Sequence, residues 1–359
     1  MQALFPSAII DCISNIQEEI MDIFDIAKLA GVSRKTVQRV LNDSPQVKKE
    51  TRERILQIMN EHNYHPNVSA RRLTKKKTQT LGLFIIQDPE KHNIYADDLF
   101  YSTVISSMIS SCADRGYNVL VTTSTIDDTS PILKLYREKS IDAGMIISWS
   151  SVQKTVNEIR QAGFLVGVFD QNNLDADQQD IPVPILLNEE SSLHATSHLI
   201  KLGHQRIGII TGEQENRAAV ERLDGYKQAM QQAKLEEGPV YFGSFVEQAG
   251  YEAITDWIGK GTLPTAVVCS NDLIAIGALK ALGEHGISVP KQISLIGFDN
   301  IRLTEYTNPS LTTMQLPRVE MAEYLVEQLI SHVEYGVPAP VKPFTAALIE
   351  RDSCTEPFS

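Results

Sequence analysis

The spacing of hydrophobic residues predicts three short helices over residues 22–64. In each helix, apolar residues recur at the spacing that places them on one buried face. The inward-facing residues of the first helix are Ile23, Ile26, Ala27, Leu29 and Ala30. Those of the second are Val37, Val40 and Leu41, and those of the third, over about 48–61, are Ile55, Ile58 and Met59.

Residues that begin and end helices stand between these segments. Asp22 is placed to cap the first helix, Gly31 to end it and Ser33 to cap the second. The turn between the two helices is only AGVS, so they must cross tightly. Pro66 ends the regular structure, and the polar run 75–79 is typical of a linker.

From residue 80 onward, short apolar segments alternate with amphipathic ones. The predicted strands are 81–86, 118–123, 144–148 and 164–169, followed by a second series at 183–187, 206–211, 265–270 and 293–298. The helices between them include 99–115, 189–202, 217–234 and 272–285. Apolar strands that alternate with helices predict buried parallel sheets. The two series therefore predict an α/β fold of two doubly wound lobes, with ligands bound between them at the carboxyl ends of the strands.

Charge is distributed unevenly along the chain. The whole chain carries a net charge of −12, but residues 22–78 hold 13 Lys and Arg against 6 Asp and Glu, a net of +7. Residues 79–359 carry −16 and residues 1–21 carry −3. A small basic block on an acidic body indicates an attached nucleic-acid-binding module. The acidic body would repel phosphates and keep DNA on that module.

Several other classes of protein are disfavoured. No apolar run approaches the roughly 18 residues of a membrane helix, and residues 1–21 lack the basic start of a signal peptide. The four cysteines stand far apart, which fits a reduced cytoplasm better than disulfides or zinc. We find no nucleophile–base pair, phosphate-binding glycine loop or metal-ligand spacing. We therefore expect a cytoplasmic protein that is not an enzyme, contacts no membrane and needs no cofactor or metal.

The segment DIFDIAKLAGVSRKTVQRVLNDSP (22–45) resembles the helix-turn-helix of the LacI/GalR family of bacterial repressors. The resemblance continues through NYHPNVSARRL (63–73), which is similar to the family's hinge, and through LIKLGHQRIGIITG, ERLDGY, residues 264–300 and NPSLTTMQL. It implies an all-α helix-turn-helix headpiece followed by a two-lobed, periplasmic-binding-protein-like sensing domain. It also implies a homodimer, or a dimer of dimers, that binds double-stranded operator DNA under the control of a small-molecule effector, most often a sugar.

A second helix that begins at Ser33 leaves Arg34, Lys35, Gln38 and Arg39 on its solvent side. Arg and Lys commonly read guanine in the major groove. The resemblance implies base contacts for Arg34, Lys35 and Arg39, and backbone contacts for Thr36, Asn42, Tyr64 and Asn67. It further implies that Leu73 wedges into the minor groove. A solvated helix face, and ordinary packing of Leu73, are the alternatives.

The resemblance implies an effector site formed by Asp170, Arg222, Phe245, Asn271 and Asp299, all at strand ends or in adjoining loops. Charged and amide groups around an aromatic ring suit a polyol. Alternatively, Asn271 caps the next helix and Asp299 serves a turn, while Trp149 either lines the pocket or packs. Departures from the family pattern are Gln38, Lys48 and Asn188, of which Asn188 stands where Asp is frequent.

The sequence predicts five segments: an N-terminal extension 1–21, a headpiece 22–66, a hinge and linker 67–79, a first lobe 80–187 plus 316–343, and a second lobe 188–315 plus 344–359.

The first rival interpretation is a solute-binding protein of an importer, which shares the two-lobed fold but requires export and has no use for a basic headpiece. The second rival is an enzyme that acts on a sugar in the cleft, which would require a catalytic group. The headpiece separates these interpretations where the fold alone cannot.

Overall fold

The computed structural model describes residues 21–41, 44–64, 77–90, 99–170, 181–337 and 342–357. The chain divides into two units, Met1–Thr78 and Gln79–Ser359. Asn42, Asn67 and Leu73 lie outside the described residues. Within the described part, no helix is long and apolar enough to cross a membrane, and no three His, Cys, Asp or Glu side chains are placed to hold a metal ion.

The described residues of the N-terminal unit form three helices: α1 (Ile23–Leu29), α2 (Arg34–Leu41) and α3 (Lys49–Glu61). The predicted caps are confirmed. The Asp22 carboxylate accepts the backbone N–H groups of Phe24 and Asp25, and the Ser33 hydroxyl accepts that of Thr36. Gly31 turns the chain between α1 and α2 at φ +61°, a conformation that glycine adopts without strain.

The small core of this unit is drawn from the residues predicted to face inward, of which Ile23, Leu41 and Ile58 are only partly buried against it. Its buried residues are Ile26, Ala27, Ala30, Val37, Val40, Ile55 and Met59. The prediction for Leu29 is wrong, because its side chain is 52% exposed. Successive residues turn by about 100° around a helix, so Leu29 lies roughly 100° from the centre of the stripe formed by Ile26, Ala27 and Ala30.

The first lobe is built on a four-stranded parallel sheet of order β2-β1-β3-β4. Its elements are β1 (Thr80–Gln87), α4 (Tyr101–Asp114), β2 (Asn118–Thr125), α5 (Ser130–Arg137), β3 (Ala143–Ile147), α6 (Gln153–Gln161) and β4 (Val166–Val168). Strands β1 and β3 are central and buried, as predicted. The expectation that β2 is buried is wrong, because it forms the sheet edge and leaves Val121 47% exposed.

The second lobe is built on a six-stranded sheet of order β12-β10-β9-β8-β6-β7, parallel except for β12. Its strands are β6 (Ile207–Thr211), β7 (Val240–Phe242), β8 (Ala266–Cys269), β9 (Ser294–Asp299), β10 (Thr312–Gln315) and β12 (Ala347–Ile349). Its helices are α7 (Asn188–Lys201), α8 (Arg217–Gln232), α9 (Glu247–Lys260) and α10 (Asp272–Glu284). Glycines bring α9 and α10 into close contact, since a Cβ on Gly277 would lie 1.8 Å from the Glu247 carbonyl oxygen.

The chain passes between the two lobes more than once. After β10, helix α11 (Arg318–Tyr335) returns to the first lobe and packs on α4 and β3. Strand β5 (Pro184–Leu186) was predicted to open the second series of strands. It instead pairs with β11 (Lys342–Phe344) in a separate two-stranded sheet. Three residues are too few to show from sequence alone which sheet a strand joins.

Candidate DNA-binding surface and ligand cavity

Helix α2 presents basic side chains on its outer face. Arg34 and Lys35 are exposed, and Thr36 and Arg39 are half-buried. The Arg34 guanidinium lies 4.9 Å from the centre of the Phe24 ring, which is itself 58% exposed on α1. This cation–π contact holds Arg34 over the outer face of α1 and α2. The surface therefore offers one oriented cation, Arg34, beside the exposed Lys35.

Tyr64 follows α3 and packs against the core of the N-terminal unit. Burial, and then the charge of Asp22, raises the pKa of its phenol. The hydroxyl therefore stays protonated and can donate a hydrogen bond to a phosphate oxygen. Lys48, where a capping residue is usual in the family, makes no side-chain cap at the start of α3.

A cavity of about 240 Å³ lies at the carboxyl ends of the strands of both sheets. The structure brings all five residues of the predicted effector site to its walls: Asp170, Arg222, Phe245, Asn271 and Asp299. The first lobe also contributes the start of α4 and the segment after β3, and the second lobe contributes the first turns of α7 and α8. The cavity therefore stands where the doubly wound topology predicts a ligand site.

Arg222 on α8 is the buried cation of this cavity. Its Nε donates to Asn188 Oδ1 at 2.9 Å, its Nη1 donates to the Ser270 carbonyl, and its guanidinium lies 3.9 Å from the centre of the Phe298 ring. Burial lowers its pKa, while the carboxylates of Asp299 and Asp170 oppose that change. The bonds to Asn188 and Ser270 fix the orientation of the guanidinium, and both of these partners are neutral. Its Nη2 donates to no described residue.

Sequence reasoning missed the residues that orient Arg222. Asn188, noted only as a departure from the family pattern, accepts from Arg222 and donates to Glu221 Oε2 at 3.0 Å. The other Glu221 oxygen accepts from Arg217 Nε at 2.5 Å. An amide can donate and accept at once, whereas a carboxylate at this position would face Glu221 with a like charge. The i,i+4 spacing of Arg217 and Glu221 was the available sequence signal for one part of this network.

Asp170 follows β4 and joins it to β5, because its Oδ1 accepts the Leu186 N–H at 3.1 Å. Its backbone is left-handed, with φ +51°. Burial raises the pKa of Asp170 to about 7; the Leu186 hydrogen bond and the charge of Arg222 oppose the rise, and Glu221 and Asp299 add to it. This carboxyl therefore changes charge near neutral pH inside the cavity.

Asn271 and Asp299 combine a structural role with a place in the cavity wall. The alternative interpretation of Asn271 as a cap is correct: Oδ1 accepts the Ile274 N–H at 2.8 Å, and the amide donates to the Phe245 carbonyl at 3.0 Å. Asp299 ends β9 at φ +112° and is buried. Both side chains also line the cavity. Asn271 therefore fixes the loop that presents Phe245.

Aromatic rings form an apolar wall that spans the two lobes. Trp149, after β3, stacks on Phe245 of the second lobe with ring centres 6.1 Å apart and planes 17° from parallel. Tyr101 meets Trp149 edge-on at 4.8 Å, and Phe100 lies 6.0 Å from it. The Trp149 Nε1 atom is buried and has no hydrogen-bond partner among the residues that the structure describes. Trp149 therefore both lines the cavity and packs.

Asp170→Asn is expected to flatten the pH dependence of stability. The native carboxyl keeps its proton to about pH 7, whereas an unfolded Asp loses it near about pH 4. The folded state thus binds more protons across this window, and the free energy of unfolding falls as pH rises through it. The amide keeps the Leu186 hydrogen bond but does not titrate, so its unfolding midpoint should fall less between about pH 5 and 7.5.

Thermal unfolding at several pH values measures this effect. Asp114→Asn, at an exposed carboxylate that ends α4, is the matched control and should follow the wild type. The buried Asp272, whose pKa is also raised, should leave a residual slope in every variant. An Asp170→Asn protein with the full wild-type slope would contradict this view of the cavity.

Comparison with known proteins matches both units. Residues 22–67 match the family described as bacterial regulatory proteins, lacI family, and residues 196–354 match the periplasmic binding protein-like domain. The chain is 32% identical over 340 residues to the HTH-type transcriptional regulator AscG of Escherichia coli, covering 93% of this chain and 98% of AscG. It is also 32% identical to the HTH-type transcriptional repressor PurR of Vibrio atlanticus, over 87% of this chain and 92% of PurR.

Solved structures match the same architecture. The Lac repressor dimer bound to operator and the anti-inducer ONPF superposes with a TM-score of 0.79 at 23% identity, covering 94% of this chain and 100% of that one. The transcriptional regulator CelR in complex with cellobiose gives 0.69 at 25% identity, covering 93% and 99%. The predicted α/β fold with a helix-turn-helix headpiece is therefore confirmed.

Proposed function

Because the chain belongs to the lacI family of bacterial regulatory proteins, we propose that it is a cytoplasmic repressor that responds to a small, uncharged sugar held in the cavity. As a member of that family it is a DNA-binding transcriptional regulator and not an enzyme. One observation carries the proposal of a sugar: the cavity sets an oriented arginine and carboxylates opposite an aromatic wall that spans both lobes.

A sugar offers the two kinds of surface that this cavity complements. Its hydroxyls can accept from Arg222 and donate to the carboxylates of Asp170 and Asp299, and the apolar face of its ring can lie against Phe245 and Trp149. A volume of about 240 Å³ is below the range of roughly 300–1,000 Å³ for drug-sized ligands. This size favours a ligand of one sugar ring. The likeness to CelR, whose structure holds cellobiose, also supports a sugar.

The charges around the cavity favour an uncharged ligand. The carboxylates of Asp299, Asp170 and Glu221 all act on Arg222. An anionic sugar acid would gain from Arg222 but would meet the like charges of Asp299 and Glu221, and that of Asp170 once this carboxyl loses its proton near pH 7. A neutral polyol uses the same donors and acceptors without that repulsion. Asn271, already committed to its cap and to Phe245, contributes by holding the wall in place.

On the DNA side we assign base contacts to Arg34, Lys35 and Arg39. The residues assigned to backbone phosphates are Thr36, Asn42, Tyr64 and Asn67. We assign Leu73, in a hinge over residues 67–73, to a wedge in the minor groove. A homodimer places two headpieces on a pseudo-palindromic operator, which is how a short module reaches specificity. An importer's solute-binding protein would have no use for this basic headpiece.

Calorimetric titration with a panel of sugars tests the ligand class. We expect one neutral monosaccharide, or a disaccharide that contains it, to bind with micromolar affinity or better, and the matching uronic acid to bind at least roughly tenfold more weakly. Binding should weaken by roughly tenfold or more in Asp299→Ala, because hydroxyl groups then lose a buried partner. Tighter binding of the acid would overturn the uncharged class. If no sugar of the panel binds, the proposal that the ligand is a sugar is wrong.

Arg39→Ala is expected to weaken binding to a specific operator by about 1–3 kcal/mol if Arg39 pairs with a base edge. Binding to random DNA should weaken much less, because phosphate contacts dominate there. Fluorescence anisotropy on both duplexes measures the two losses. Arg54→Ala is the matched control, since it removes an equal charge from the exposed face of α3. If Arg39→Ala weakens binding to specific and random DNA equally, Arg39 contacts a phosphate and not a base.

A further inference from the structure

Arg318 begins α11, at the point where the chain returns from the second lobe to the first. Its Nη1 donates to the carbonyl oxygens of Leu99 and Phe100 at 3.2 and 3.5 Å. Its Nη2 donates to the carbonyl of Asn300 at 3.3 Å. The guanidinium also lies 5.3 Å from the centre of the Phe100 ring. One side chain therefore contacts the start of α4 in the first lobe and the loop after β9 in the second.

Both contacts of Arg318 adjoin the walls of the cavity. Phe100 lines the cavity and lies 6.0 Å from Trp149, ring centre to ring centre. Asn300 directly follows Asp299, which lines the opposite wall. A change in the distance between the lobes at this point must therefore lengthen at least one set of Arg318 hydrogen bonds.

The loop that carries Asn300 is held firmly on the second lobe. The Asn300 Oδ1 atom accepts from Arg351 Nη2 at 2.8 Å. The buried Asp272 accepts the Ile301 N–H at 2.9 Å and the Thr313 hydroxyl at 2.6 Å. Because this loop is tied to β10 and α10, it moves with the second lobe as one body.

The charge of Arg318 also acts on Asp272, which holds this loop. Burial raises the pKa of Asp272 well above its usual range, the charge of Asp299 raises it further, and the charge of Arg318 opposes both. The guanidinium thus partly compensates the acidic groups behind the cavity wall. A lysine at this position would keep the charge, but one ammonium cannot match the fork that spans both carbonyl sets.

We propose that Arg318 is a positioning residue that holds the two walls of the cavity at the spacing seen in this structure, which we call the closed spacing. Within the described part of the chain, its hydrogen bonds all go to backbone carbonyls, so it acts through the placement of Phe100, Trp149 and the Asp299 loop. This inference rests on the proposed function, because the regulator would sense a sugar through the closure of these walls around it. Without Arg318 the open arrangement of the lobes should gain population by roughly tenfold, because charge-assisted hydrogen bonds are lost only from the closed one.

Quenching of tryptophan fluorescence by acrylamide in the full-length protein without sugar tests this proposal. The chain has two tryptophans. Trp149 is half-buried against Phe245 across the lobes, and Trp257 is 3% exposed in the second lobe's core. Opening of the lobes uncovers Trp149 and leaves Trp257 unchanged. We therefore expect stronger quenching in Arg318→Ala and Arg318→Lys, and no such increase when either is combined with Trp149→Phe.

Arg302→Ala is the matched control, because it removes an exposed arginine from the same loop and should quench like the wild type. Wild-type quenching in both Arg318 variants would overturn the proposal. Wild-type quenching in Arg318→Lys alone would show that a positive charge is enough to hold the walls. It would overturn the proposal that the hydrogen bonds of Arg318 to both lobes hold them. If Arg318→Ala does not fold, Arg318→Lys decides. If quenching rises as expected but no sugar binds the wild type, the proposed ligand class fails and the inference stands.

Discussion

A chain that lacks residues 1–78 is expected to lose operator binding completely and to keep its ligand cavity. The removed segment holds the basic block of the chain, whereas residues 79–359 carry a net charge of −16 and would repel phosphates. Residues Gln79–Ser359 form a unit of their own, with buried clusters on both sheets. This fragment should therefore fold and bind the same sugar as the full chain.

The operator for this experiment is selected from random duplexes with the full-length protein, and binding is followed by fluorescence anisotropy. Full-length binding should weaken by roughly three orders of magnitude between about 50 and 200 mM salt if about six phosphates are neutralised. The fragment should give no signal at either salt concentration, while calorimetry shows unchanged sugar affinity. Operator binding by the fragment would contradict the assignment of DNA recognition to the headpiece.

Arg222→Ala is expected to abolish the effect of the sugar on operator binding, while operator binding without sugar stays near the wild-type value. The substitution removes the buried donor that is fixed by Asn188 and the Ser270 carbonyl. Ligand hydroxyls then stay unpaired in a closed cavity, at a cost of about 1–3 kcal/mol. A ligand shifts the DNA-binding equilibrium only through its differential affinity for the two states, so loss of a contact made in the closed cavity removes the response at sugar concentrations that suffice for the wild type.

Two further variants separate loss of ligand contact from loss of fold. Arg222→Met keeps an unbranched stem over the Phe298 ring but has no donor, so it should fail to respond while unfolding closer to the wild-type temperature than Arg222→Ala. Arg206→Ala removes an exposed arginine of the second lobe and should respond normally. A wild-type response of Arg222→Ala at the wild-type sugar concentration would remove Arg222 from the effector site. Joint loss of operator binding and stability would show a purely structural role.

The elements of this protein were predictable where local rules decide the structure. Asp22, Gly31 and Ser33 act within one helix turn, so capping chemistry identified the ends of α1 and the start of α2. The central strands were predictable because burial on both faces requires continuous apolar runs. Strand β5 was misplaced, since its pairing with β11 joins residues 158 positions apart, which no local pattern encodes.

The cavity was predictable in outline for a topological reason. Residues that follow parallel strands meet at one sheet edge, so side chains as distant in sequence as Asp170 and Asp299 reach the same cavity. Their contact with a ligand stays a prediction. The partners of Arg222 could not be found in this way, because the bond to Asn188 depends on the packing of α7 against α8. The stacking of Trp149 on Phe245 likewise depends on the spacing of the lobes.

One sugar in the cavity is expected to set the affinity of the headpiece for DNA. Titration of the selected operator with full-length protein, with and without a saturating concentration of the sugar found by calorimetry, tests it most directly. We expect the operator dissociation constant to change by roughly 5- to 150-fold, the usual range of allosteric coupling, and operator DNA to change the sugar affinity by the same factor. Operator and sugar affinities that do not depend on each other would contradict the account.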